Sequence, residues 1–235
     1  MTNQTKVTYI DHCGSDLSTV NAARVSFGNK SDWEEPFEDC DKSLLKLSDR
    51  DTKLIKYLAK HKHLSPFGHA FASFHVKAPI FVARQLVKHS YLRWNEVSRR
   101  YVDDEPEFYT PDVWRGRSAD KKQGSDGDVS INVAWYDRDD GYNSWPEDSY
   151  SIALEAYQKM LELGVAPEQA RMVLPQSTLT EWYWSGSLDA FAAMCRLRLP
   201  SDTQQETRVV AQQISEKMSE LFPVSWEALT KGETE

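Results

Sequence analysis

An α+β fold with an antiparallel β-sheet flanked by helices is what this 235-residue sequence predicts, on three observations. Ala70, Ala72, Phe74 and Val76 alternate with Phe71, Ser73, His75 and Lys77, the period of a strand with one buried face. Thr178-Leu179-Thr180-Glu181-Trp182-Tyr183-Trp184 is a second run of strand-forming residues. The remaining apolar residues recur mostly at helical spacing, and helices framing a few well-separated strands suit an antiparallel sheet.

Taken in order, residues 6–11 read as a short strand, and residues 18–23 as a helical turn that ends near Arg24-Val25-Ser26-Phe27-Gly28. Residues 29–41 are polar and loop-like. Ser48 followed by Asp51 has the character of a capping box, and Leu54, Ile55 and Leu58 then continue a helix to His61. Residues 63–69, with Pro66 and Gly68, form a turn before the alternating strand. Pro79 suits the first turn of a helix over residues 80–89, which places Arg84 and Lys88 on one face with Gln85 and His89 beside them. Residues 116–148 are rich in Asp, Ser, Gly and Lys and read as a long surface excursion, partly ordered at best. A helix over 147–163 closes at Gly164, Pro167 opens another to Leu174, and two final helices cover 188–197 and 201–222. In the last, Val210, Ile214, Met218 and Leu221 form one stripe. No internal repeat occurs, and residues 1–235 read as one domain.

Composition limits the function. With 40% hydrophobic residues the chain can bury a sizeable core, and a net charge of -8 with pI near 5.3 argues against a general nucleic-acid or membrane-surface binder. Cys13, Cys40 and Cys195 are odd in number and far apart, without metal-type spacing, which supports neither a disulfide framework nor a zinc site and fits reduced thiols in the cytoplasm. No apolar run suggests a leader or a membrane span, so a soluble, unprocessed protein is expected.

Against that acidic background, residues 84–101 gather Arg84, Lys88, His89, Arg93, Arg99 and Arg100. Like charges held close repel until a counter-anion arrives. One reading is an ordinary solvated helix face. The other is a nucleotide grip, because Tyr91, Trp94 and Tyr101 alternate with the charges and Gln85, Asn95 and Glu96 could meet base or ribose edges. Ser98 has no nucleophile elbow around it and reads as a hydrogen-bonding group. Cys195, within Phe191-Ala192-Ala193-Met194-Cys195, reads as a core thiol. His61, His63, His69, His75 and His89 fall on different supports, so no metal site is expected. Trp182-Tyr183-Trp184 reads as sheet packing, though one ring could stack on a flat cofactor.

Lys88-His89-Ser90, seven residues, then Ser98 resembles the Arg-His-Arg, seven residues, Ser signature of the flavin-dependent thymidylate synthases, the thymidylate synthase complementing proteins. Asn95-Glu96-Val97-Ser98-Arg99-Arg100-Tyr101 is similar to its most specific part. Asn21 to Phe27, Lys60 to Phe67, Phe74 to Gln85, Ala170 to Pro175 and Leu197-Arg198 follow in that family's order, so the resemblance runs from about residue 15 to 229.

The resemblance implies that family's homotetrameric fold and the reductive methylation of dUMP to dTMP. It implies 5,10-methylenetetrahydrofolate as carbon donor, FAD as hydride carrier and NADPH as reductant, with sites shared between subunits. By position, Gln85, Ser98, Arg100, Arg171 and Arg198 resemble the dUMP-binding set, with Arg198 and Ser98 as the catalytic candidates. Arg198 resembles the arginine on the pyrimidine edge. Ser65, Lys88, His89, Ser90, Asn95, Glu96 and Ser187 resemble FAD-contacting positions, and His63 a folate-side histidine. The pattern departs at Lys88 and Ser90, where the signature has arginines, and at Gly68, Asp189, Ala193 and Asp202. These changes fall on the flavin side and suggest a divergent branch, acting in the host cytoplasm if that branch is viral. Two other readings remain: a related C5 hydroxymethylase of dUMP, and a nucleotide-binding homologue without chemistry.

Overall fold

The computed structural model describes residues 5–35, 46–102, 104–119, 124–130, 134–137, 141–144 and 147–231. Cys40, and parts of the stretches 29–41 and 116–148, lie outside the described residues. The first strand, β1 (Lys6–Cys13), and the alternating segment, β2 (Phe71–Pro79), pair antiparallel with Val7 opposite Val76. On its other edge β2 pairs antiparallel with β8 (Leu179–Ser187), with Phe74 opposite Trp184, and β8 pairs with β3 (Leu92–Glu96), giving the order β1-β2-β8-β3. Because strand side chains alternate, Ala72, Phe74, Val76, Trp182 and Trp184 all point to one face and are buried. Ser73, His75, Lys77, Glu181, Tyr183 and Ser185 point to the other, where Tyr183 is 52% exposed.

Helices cover the inner face. The α1 helix (Asp16–Arg24) and α2 (Asp49–Lys60) pack with α6 (Leu188–Arg198), α7 (Gln205–Leu221) and α8 (Pro223–Lys231) around a core that includes Ile55, Phe67, Phe191, Ile214, Met218 and Trp226. Ser48 caps α2, its Oγ accepting from Asp51 N at 3.0 Å, and the Asp51 carboxylate accepts from Ser48, Ser31 and Arg24. Trp182 and Trp184 are core residues: Trp94 stacks on Trp182 at 4.3 Å, and Trp184 meets Phe191 edge-on at 5.5 Å. Neither ring is available to a cofactor.

Four expectations need correction. The helix expected to reach residue 89 is α3 (Ile80–Leu86); Lys88 and His89 lie in the turn after it, which ends at Tyr91 in the left-handed region (φ 64°). Asn95 and Glu96, for which no strand was expected, belong to β3, because the edge of β8 offers unpaired backbone groups that this segment satisfies. Gly186 fits that close approach, since a Cβ there would displace the end of the Leu92 side chain and sit 3.1 Å from the Tyr91 carbonyl oxygen. After Phe222 the chain forms a further helix, α8, where only two final helices were expected, and α7 starts at Gln205 rather than Ser201. The excursion is also more regular than expected: its described residues form two hairpins, β4 (Trp114–Arg117) with β5 (Ser125–Val129) and β6 (Ala134–Asp137) with β7 (Gly141–Ser144). It leads into α4 (Glu147–Glu162), followed by the short α5 (Pro167–Ala170) and a 3-10 turn at Arg171–Val173. Among the described residues no helix is long and apolar enough to cross a membrane.

Candidate active site

A cleft of about 990 Å³ opens where α3, the C-terminal end of α6, the α6–α7 connection and the β4–β5 hairpin meet. Gln85 from α3 and Arg198 from the last turn of α6 line it, together with Tyr109, Arg115, Gln204 and Glu206. Arg198 Nε donates to His89 Nε2 at 3.0 Å, so the imidazole accepts through that nitrogen and carries its proton on Nδ1. Burial, and then the positive charge of Arg198, push His89 down from 6.5 to about 4. The histidine is therefore neutral at physiological pH, an acceptor that aims the guanidinium without adding charge.

Gln85 is held from both ends. Its Nε2 donates to Gln204 Oε1, and Thr207 Oγ1 donates to its Oε1 at 3.3 Å. Tyr109 stays a neutral donor, pushed up to about 12 by burial and then by the negative charge of Glu206. Sequence reasoning missed Gln204, Thr207, Tyr109 and the Arg115–Glu206 pair, because contacts between residues so far apart along the chain leave no local signal.

A second cleft, of about 640 Å³, is lined by Arg84 of α3, Glu96 of β3, Arg99, Arg171, Thr180 and Glu181 among others. Arg171 is exposed and spends its Nε on the Glu168 carbonyl at 3.2 Å, so no carboxylate among the described residues neutralises it. Arg99 is tied to Asp104 at 3.2 Å. Glu96 accepts from Thr180 Oγ1 at 2.8 Å and from Trp94 Nε1 at 3.1 Å, which orients its carboxylate at the cleft edge. Ser98 and Arg100 follow directly; the serine hydroxyl accepts from Arg100 Nε at 3.3 Å, and the guanidinium lies 5.0 Å over the Tyr101 ring.

The residues expected on the dUMP side are thus split. Gln85 and Arg198, the latter hydrogen-bonded to His89, line one cleft, while Arg171 lines the other, with Ser98 and Arg100 following β3. The idea that one helix delivers the basic cluster to one place does not hold, because neighbours on a helix point about 100° apart and Arg84 and Gln85 enter different clefts. Of the residues expected on the flavin side, His89 bonds Arg198 and Glu96 lines the second cleft, while others lie at one corner of the sheet. Lys88, Ser90 and Arg93 are exposed at the start of β3, Ser187 stands at the N-cap position of α6 at the end of β8 with its hydroxyl not used as a cap, and Ser65 begins the 3-10 turn Ser65–His69 packed against α6 and β8. His63 lies just before that turn, its ring parallel to Tyr57 at 6.4 Å. Cys195 is fully buried, 3.6 Å from the Ala211 carbonyl, and burial pushes its thiol far up, so it remains protonated and stays out of the chemistry.

A helix-backed antiparallel sheet carries a neutral histidine that orients an arginine at one cleft and, at another, Arg171 with no carboxylate partner among the described residues, an arrangement that suits an anionic ligand. Residues 8–224 match the family model described as thymidylate synthase complementing protein, and the chain belongs to that family. It is 38% identical over 222 residues to the flavin-dependent thymidylate synthase of Thermosipho melanesiensis, covering 94% of this chain and 89% of that one. The flavin-dependent thymidylate synthase of Thermus thermophilus is 37% identical, over 94% of this chain and 74% of its own length. Among solved structures, the UMP/dUMP methylase PolB of Streptomyces cacaoi bound with 5-Br dUMP superposes with a TM-score of 0.72 at 32% identity, covering 97% of this chain and 95% of that chain.

Proposed function

We propose that this chain is a flavin-dependent thymidylate synthase that converts dUMP to dTMP, taking the carbon from 5,10-methylenetetrahydrofolate and the reducing equivalents from NADPH through FAD. The observation that carries this is the Arg198–His89–Gln85 group: a guanidinium held at Nε by a neutral imidazole, beside an amide fixed at both ends. A uracil has the matching edge. Its ring oxygens accept, its N3–H donates, and Gln85 offers both functions from one amide. As C5 becomes nucleophilic, negative charge grows on the uracil oxygen, and preorganised donors on Arg198 stabilise it where it develops. Ser98, Arg100 and Arg171 supply hydroxyl and guanidinium donors for the phosphate.

The residues at the sheet corner fit a flavin dinucleotide. Lys88 and Arg93 are exposed cations with no carboxylate partner among the described residues, which suits a pyrophosphate. Asp189 Oδ1, buried without a partner beside Ser187, offers an acceptor to a ribose or ribityl hydroxyl. Lys88, His89, Ser90, Asn95, Glu96, Ser65 and Ser187 would hold the group, and His63 would face the folate. When bound, the flavin supplies the hydride; the chain's own part is to align the planar ligands and exclude water.

One chain splits its substrate-side groups between two clefts. That split supports sites completed between copies, and hence a homotetramer, with Tyr183 and Phe71 exposed on the outer sheet face as the apolar part of such a contact. Free Cys13 and Cys195 fit a cytoplasmic setting.

Purified protein supplied with FAD, dUMP, 5,10-methylenetetrahydrofolate and NADPH is expected to release dTMP, identified by mass spectrometry. Protein that acquires no flavin absorbance after FAD is added contradicts the proposal, and hydroxymethyl-dUMP formed without NADPH consumption replaces it with the hydroxymethylase.

A further inference from the structure

The β4–β5 hairpin reaches the Arg198 cleft from a segment that carries none of the motif residues, and it is anchored there at two points. The first is Arg115. Its Nε donates to Ser125 Oγ at 2.8 Å, closing the hairpin on itself, and its Nη2 meets Glu206 Oε1 at 2.6 Å on α7. Glu206 is only 6% exposed, so its carboxylate depends on this one guanidinium for charge compensation among the described residues. The second is Gly124, whose φ of +91° and whose contact with Asp202 leave no space for a side chain: a Cβ would lie 2.9 Å from the Asp202 carbonyl oxygen. Both anchors grip the α6–α7 connection and the first turn of α7. That stretch also carries Gln204 and Thr207, which hold the two ends of the Gln85 amide.

We propose that Arg115 and Glu206 are positioning residues for the nucleotide: through this ion pair the hairpin fixes the start of α7, and with it the orientation of Gln85 at the pyrimidine edge. The inference rests on the reading of this cleft as the dUMP site. Glu206 lies between the two Gln85 partners in sequence, so a shift of its helical turn moves both hydrogen bonds together. An amide that can rotate presents its carbonyl where its N–H was, and a uracil edge then meets like groups. The hairpin also contributes Trp114 and Ser125 to the wall of the cleft that Arg198 lines, so its displacement changes the shape of that cleft. The pair therefore acts on affinity for the nucleotide more than on the chemical step.

The test uses the FAD-loaded full chain. The dUMP dissociation constant is measured by calorimetry, and KM and kcat by dTMP formation, for the parent, R115M, R115K and G124A. The expected result is a dissociation constant and KM for dUMP raised about tenfold in R115M, with kcat changed less than about threefold. R115K, which keeps the cation, recovers most of the affinity. G124A disturbs the second anchor, where the hairpin turn meets Asp202, without touching the buried core, and also weakens dUMP binding, so it reads the same quantity should R115M fail to fold. Parent-like dUMP affinity in G124A, or in a folded R115M, overturns the inference. A parent that binds no dUMP overturns instead the reading of the cleft on which it rests.

Discussion

Arg198 and His89 form one unit: the guanidinium Nε donates to the imidazole Nε2 at 3.0 Å, and the histidine, held near 4, keeps no charge of its own at neutral pH. An acceptor on Nε fixes the plane of the guanidinium and leaves its terminal nitrogens toward the cleft. This is how a residue inside the basic segment contributes without adding to the repulsion there. Replacing Arg198 with alanine removes donors that strengthen as charge develops on the uracil, and kcat is expected to fall by about 100-fold to 1,000-fold. H89F, which cannot accept, should lose part of that rate, while H89Q, which can, should recover it. Equal rates for H89F and H89Q would contradict the positioning role.

The same contact gives a pH dependence of stability. Burial, and then Arg198, lower the His89 value in the folded state from 6.5 to about 4, so between these values the unfolded chain binds more protons at this residue than the folded chain does. Stability therefore rises with pH through that window; the contribution is lost as pH falls and is constant above about 6.5. Urea melts at pH values of about 4.5 and 6.5 should show the parent losing more stability on acidification than H89Q. A slope unchanged by the substitution would show that His89 titrates normally.

Arg24 and Asp51 provide an independent site for such a test. Burial raises Asp51, yet hydrogen bonds from Arg24, Ser48 and Ser31 and the charge of Arg24 outweigh it and hold the carboxyl below its ordinary value. A depressed carboxyl stabilises the fold above its unfolded value and loses that contribution as pH falls through the folded one. Asp51→Asn leaves an almost buried Arg24 without its counter-charge and should cost about 3 kcal/mol at neutral pH. Chemical denaturation measures it; a loss below about 1 kcal/mol would mean that the arginine finds solvent or another partner.

How much of this was legible in the sequence follows from where the signals are local. The β2 strand and α2 were, because alternation from Ala70 to Lys77 and the spacing of Ile55 and Leu58 each lie in one segment. The β3 strand was not. It is an edge strand with only Trp94 and Leu92 turned inward, and its partner β8 is distant in sequence, with Gly186 giving Leu92 room at the crossing. The charged cluster was visible as a cluster, but its division between two clefts depends on Arg84 and Gln85 pointing apart on α3. Membership of the basic segment therefore indicated what ligand chemistry to expect, and only the fold separates Gln85 from Arg84.

Cys195 was legible from its apolar neighbours, and its burial makes a prediction. A thiol pushed far up by desolvation forms no thiolate near neutrality. C195A should keep kcat within about twofold and lose only the stability of a small buried side chain, about 1 kcal/mol. Activity assayed beside a thermal melt tests both; a large loss of rate without loss of fold would assign the thiol a role that its surroundings deny it.

Lys88 and Ser90 are the last point at which the chain can be tested against its own family pattern. Both side chains are exposed in the turn that ends at Tyr91, and Arg93 is exposed on β3 beside Ser185. A lysine offers a single point charge to a phosphate and a serine offers none, whereas an arginine makes two parallel donations. Restoring the signature as K88R/S90R should tighten FAD binding by about tenfold, read by flavin fluorescence on titration, with kcat for dTMP changed little. R93A should do the reverse if Arg93 compensates for the missing guanidinium. Should FAD affinity stay the same in both variants, the pyrophosphate is held elsewhere, and the hydroxyl donors of Ser65 and Ser187 become the groups to test next.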